Sequence, residues 1–187
     1  MDHCRISNDT GAGVVVTSAV GSTVANTTIE STGSSAIVVI ETGRLTVRST
    51  TILDPGGNGL CVTGHGRLHV GGCVVERATK PAVVVEQQAS AEINGLRVTG
   101  SSALDLYVTT REPLLINDSR FEGSGNQAVH LAGASAVQLR ECVIEAPTGT
   151  GLHLTGGARA RLEQCQVHGG ATGVSAVGAS TVQLNGV

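Results

Sequence analysis

Gly13-Val14-Val15-Val16, Ala36-Ile37-Val38-Val39, Gly59-Leu60-Cys61-Val62 and Ala82-Val83-Val84-Val85 are one pattern written four times, a small residue followed by apolar positions two apart. The pattern continues to the end of the chain. Small residues head successive copies at Gly13, Ala36, Gly59, Ala82, Ala103, Ala128, Gly151 and Gly173, in steps of 23, 23, 23, 21, 25, 23 and 22. A short period sustained over the whole length marks a solenoid, in which each repeat packs only on its neighbours.

Four apolar columns run through the copies. Two lie in the opening strand: Val14, Ile37, Leu60, Val83, Leu104, Val129, Leu152 and Val174, then Val16, Val39, Val62, Val85, Leu106, Leu131, Leu154 and Ala176. A third runs through Val24, Val47, Val70, Ile93, Leu139, Leu162 and Leu184, with Ile116 joining it after a two-residue insertion. The fourth is Ile6, Ile29, Ile52, Val75, Val98, Phe121, Ile144 and Val167. Period-two alternation of β-branched residues and Leu means short strands with one buried face. No segment keeps helical spacing for long, and Gly interrupts too often. The expectation is an all-β, single-stranded right-handed parallel β-helix of about eight coils of ~23 residues, with like residues stacked about 4.8 Å apart.

The repeated small-apolar-x-apolar strand, together with segments such as Leu139-Arg140-Glu141-Cys142-Val143-Ile144 and Leu162-Glu163-Gln164-Cys165-Gln166-Val167, resembles the right-handed parallel β-helix, or pectate-lyase-like, superfamily. The resemblance spans nearly all of the chain and carries the handedness. It implies a fold and leaves activity open, because the superfamily hosts lyases, hydrolases, epimerases, adhesins and non-enzymatic domains. Gly64-His65-Gly66 looks like the triplet of polygalacturonase-type hydrolases, but no adjacent Asp pair accompanies it, and it reads as a turn. The calcium-holding acids of pectate lyases have only a faint echo in Glu30, Glu76, Glu122 and Glu145, of which Glu122 and Glu145 alone fall in adjacent coils.

Composition narrows the rest. Residues 1–187 read as a single β-helix repeat domain, a segment of a larger protein, with no composition break to serve as a linker. Aromatics are 1% of the chain, so the core is a stack of aliphatic and small side chains. Net charge is −3 and the arginines are scattered in sequence among fifteen acids, which argues against nucleic acid. No apolar run suits a membrane span and no N-terminal signal is visible, so a cytoplasmic location is expected. Cys4, Cys73, Cys142 and Cys165 share one column with Thr27, Thr50, Leu96 and Ser119, which fits packed, reduced turn residues; Cys61 lies elsewhere. No metal and no cofactor is expected.

One outward column of the opening strand, Val15, Val38, Cys61, Val84, Asp105, His130, His153 and Ser175, changes character halfway along. Its first four members form an apolar face suited to another protein or a second copy of the chain. Asp105, His130 and His153, with Tyr107 on the same side, are candidates for acid/base work or for a metal with oxygen and nitrogen ligands. The insertion expected around Thr109, Thr110, Arg111, Glu112 and Pro113 would wall this site, making Tyr107 and Arg111 binding candidates. Three outcomes stay open for these residues: a solvated surface, binding of a sugar or partner, and catalysis. The expected function is a non-catalytic β-helical scaffold binding a protein or glycan through an outward strand face, with open ends as a further contact surface. The alternative is a polysaccharide lyase or glycoside hydrolase acting in a groove along that face.

Overall fold

The computed structural model describes residues 1–124 and 126–187. Its described residues form 24 strands and no helix, arranged as three parallel sheets of eight strands. The first sheet begins with Arg5–Asn8, the second with Val14–Val16 and the third with Ser22–Ala25, and each strand pairs with its equivalent one coil on. Every coil therefore contributes three short strands, and the chain winds about a narrow core.

The four columns supply most of the core, although Leu104 lies outside it and Ala176 and Leu184 in the last coil are exposed. Ile29, Ile52, Val75, Val98, Phe121 and Ile144 are buried in line beneath the first sheet, and Val47, Val70, Ile93, Ile116, Leu139 and Leu162 beneath the third. Phe121, the only Phe, is the largest fully buried side chain. Close packing of aliphatic side chains on inter-coil hydrogen bonds stabilises such a rod without aromatic anchors.

The cysteine column has a specific task. Between the third and first sheets the chain turns a corner through one left-handed residue, at His3, Asn26, Ser49, Gly72, Gly95, Asp118, Glu141 and Gln164, with φ between 44° and 64°. Except after Gly95, where Leu96 follows, the next residue donates its hydroxyl or thiol back to the carbonyl two residues earlier. Thr27 donates to Ala25, Thr50 to Arg48, Ser119 to Asn117, Cys73 to Gly71, Cys142 to Arg140 and Cys165 to Glu163, at 2.7–3.4 Å. Each of these carbonyls already accepts an inter-coil backbone N–H, so the corner side chain adds a second bond and satisfies its own buried donor, which Thr, Ser and Cys are small enough to do. All five cysteines are free. Gly64-His65-Gly66 is likewise a corner, with Gly64 left-handed at φ 67°.

The coil around residues 103–116 corrects the expected register. Val83 pairs with Leu106 and Leu106 with Val129, Val85 with Val108, and Ile93 with Ile116, each 23 residues apart. The coil contains no insertion, and its head is Asp105 rather than Ala103. The count breaks instead in the last coil, where Leu152 pairs with Val174 and Leu162 with Leu184, one residue short. Leu104 and Leu106 mimic the apolar-x-apolar motif behind Ala103, while the true motif, Leu106-Tyr107-Val108, follows an acid where a small residue is usual.

Candidate functional site

Re-registering the coil changes the outward column of the second sheet to Val15, Val38, Cys61, Val84, Tyr107, His130, His153 and Ser175. Tyr107 and His130 meet edge to face, with ring centroids 5.4 Å apart and planes at 62°. His130 and His153 follow at 5.0 Å and 53°. The expected neighbours His130 and His153 are therefore together, and Tyr107 takes the place expected for Asp105. His130 Nε2 lies 3.1 Å from Thr155 Oγ1. Partial burial, then the adjacent His153, pushes the His130 pKa below the usual imidazole range.

Asp105 is absent from this face. It occupies the small-residue column between Ala82 and Ala128 and is 0% exposed. Asp105 precedes the strand Leu106–Val108, at the corner position where Ala82 and Ala128 are also fully buried, so it turns into the core although it stands only two residues before the outward Tyr107. The Ser124 N–H donates to Asp105 Oδ2 at 3.4 Å, whereas Asp105 Oδ1 and the buried Ser101 Oγ complete no hydrogen bond. Burial pushes the carboxyl up to about 7, with the Ser124 N–H holding part of the shift back. Such a carboxyl is isolated from anything bound outside.

The apolar face is also smaller than expected. Val15 is 54% exposed, Val38 and Cys61 are half-buried, and Val84 is buried at 7%. Val84 lies between Cys61 and the ring-bearing Tyr107 on consecutive coils, which leaves its short side chain little contact with water. Burial, with Glu86 nearby, pushes the Cys61 thiol up, so it is a poor nucleophile. Arg111 is exposed in a turn of ordinary length whose backbone is tied to Gln87, and Thr110 is pinned inside by a hydrogen bond to the Ala89 carbonyl. This segment forms no added wall over Tyr107.

The concave surface lies on another sheet. A groove of about 520 Å³ crosses the outer face of the third sheet between Pro113, Leu115, Ala136, Gln138, Arg159 and Arg161. Smaller hollows of about 340 and 250 Å³ continue it past Arg67, His69 and Glu92 to Arg44 and Thr46. Small side chains at Ala136 and Ser90 lower the floor between longer ones.

The arginines that look scattered in sequence gather on this face. Strand register stacks Arg44 on Arg67, and places Arg48, Arg140, Arg159 and Arg161 outward on the same sheet, so it carries six of the eleven Arg but only two acids, Glu92 and Glu163. On a chain of net charge −3 this is a marked asymmetry. Glu163 is engaged by Arg140 and Arg161, and Glu92 by His69. Arg44, Arg48, Arg67 and Arg159 have no ion pair among the described residues. The first sheet, by contrast, compensates its own charge through Arg5–Glu30, Arg97–Glu122 and Arg120–Glu122. Among the described residues no three His, Cys, Asp or Glu side chains converge as a metal cluster.

A coil that stacks like on like in three parallel sheets defines a β-helix. The model of the right handed beta helix region matches residues 1–95 and again 94–187, and the chain belongs to that family. A search of curated proteins finds no match. Among solved structures, the chain is similar to the catalytic unit of a thermostable GH87 α-1,3-glucanase from Streptomyces thermodiastaticus strain HF3-3, with a TM-score of 0.75 and 16% identity. The alignment covers 97% of this chain and 42% of that one, so the present chain spans less than half of the glucanase unit. At that identity the likeness is one of fold.

Proposed function

We propose that this chain is a non-catalytic β-helical binding module that holds an extended, negatively charged polysaccharide in the arginine-lined groove of its third sheet. The observation that carries this is the gathering of six Arg and only two Glu on a face that is also grooved along the rod. Guanidinium forks pair carboxylates and sulfates in two-pronged fashion, and coils about 4.8 Å apart present them repeatedly along an extended chain. Among the described residues the face bears no Phe, Tyr or Trp, so charge and hydrogen bonds supply the affinity.

Catalysis is disfavoured by the same geometry. Glycoside hydrolysis requires two carboxyl groups about 5–9.5 Å apart across the scissile bond. The groove has Glu92 and Glu163, three coils or about 14 Å apart and both held in ion pairs. On the second sheet, an enzyme using Tyr107, His130 and His153 would work without Asp105. The glucanase neighbour contributes the fold alone, and the ligand class rests on the arginines.

Affinity electrophoresis in gels containing polygalacturonate, alginate or neutral dextran tests the proposal. Retardation in the two acidic gels and none in dextran is expected, without unsaturated or reducing-end products. Equal migration in all three gels, or release of products, would overturn it.

A further inference from the structure

The imidazoles of the second sheet lie outside the groove, and their geometry points to a different ligand. His130 and His153 pair Cα to Cα on adjacent parallel strands. A late first-row divalent ion sits about 2.0–2.1 Å from an imidazole nitrogen, hence roughly 3.2 Å from each ring centre. Two ring centres 5.0 Å apart then subtend about 100° at that ion, between the right angle of tetragonal sites and the tetrahedral angle. Parallel rings could not both aim in-plane lone pairs at one point between them, but planes inclined at 53° can.

Thr155 supplies the supporting contact. When His130 Nε2–H donates to Thr155 Oγ1, 3.1 Å away, Nδ1 is left as the lone-pair donor and the ring orientation is fixed. Ligating histidines commonly have their second nitrogen held in this way. No carboxylate forms an ion pair with either ring among the described residues. We propose that His130 and His153 form a two-point site for a late first-row divalent cation such as Ni²⁺ or Cu²⁺, with Thr155 as the positioning residue. The remaining coordination positions are left to water or to oxygen atoms of a ligand.

Titration calorimetry with Ni²⁺ and Co²⁺ salts tests it, on a His3→Gln background so that the terminal amine and His3 do not chelate the ion. The expected result is one saturable Ni²⁺ per chain, with Co²⁺ weaker as the order of divalent affinities requires. His130→Gln and His153→Gln should each lose tenfold or more in affinity, Thr155→Val several-fold, and His69→Gln nothing. Thermal melts of each variant, unchanged at neutral pH, establish that the fold persists. Absence of saturable Ni²⁺ binding would overturn the proposal, as would His130→Gln binding like the parent or a loss that follows His69.

Discussion

The ring centres of His130 and His153 lie 5.0 Å apart on neighbouring coils, both half-buried and both in line with Tyr107. Because burial and the second ring hold the His130 pKa below that of an unfolded chain, the fold resists a proton that the unfolded state accepts. His130 therefore costs nothing above about pH 6.5, and stability is lost as pH falls below it through the lower folded value. His130→Gln should lessen that acid-side loss. Urea denaturation of parent and variant from pH 7.5 to 5 checks this: the gap between them should move in favour of the variant as pH falls.

Asp105 acts with the opposite sign. Its folded pKa of about 7 lies above the unfolded value of 3.8, so the fold binds the extra proton between them and stability falls as pH rises through that window. Asp105→Ala places in the column the residue found at Ala36, Ala82 and Ala128. It should stabilise the chain at pH 8 by about 4 kcal/mol, with the gain vanishing near pH 3.5. A constant difference across pH would contradict this.

Phe121 fills a column otherwise made of Ile and Val. Phe121→Ala should cost about 3–5 kcal/mol through the cavity it leaves, whereas Phe121→Ile, matching Ile144 one coil on, should cost about 1–2 kcal/mol. Equilibrium unfolding of the two variants gives the difference directly.

On the second sheet, burial separates two valines of one column. Val84→Glu places a charge where water is nearly excluded and should lower stability by about 2–4 kcal/mol, while Val15→Glu should stay within about 0.5 kcal/mol. Matching losses at both positions would mean that the whole stripe is covered.

The coil period, the four columns and the cysteine corner were all readable in the sequence, because each repeats the same side-chain requirement every 23 residues. The register around Asp105 was not, since Ala103-Leu104-Asp105-Leu106 satisfies the head-and-strand pattern as well as the true Asp105-Leu106-Tyr107-Val108 does. An offset of two residues preserves strand alternation, so it turned no other side chain the wrong way to betray itself. His130 and His153 were correctly placed as neighbours, because their coils keep the 23-residue step. The arginine face is hidden in the sequence for a different reason. Arg44 and Arg67, or Arg140 and Glu163, are 23 residues apart in the chain and adjacent only across coils. A charged stripe wound on a solenoid has no local signature, and only tracing each outward column through the register reveals it.

The location of polyanion binding tests the account most directly. Affinity for polygalacturonate oligomers, measured by calorimetry at low salt, is compared among the parent chain, Arg67→Glu with Arg159→Glu on the third sheet, and Val38→Glu with Tyr107→Glu on the second. The arginine pair should lose tenfold or more and the other pair less than twofold, with both variants folded by circular dichroism. Binding that survives reversal of Arg67 and Arg159, or that is lost with Val38 and Tyr107 instead, would contradict this.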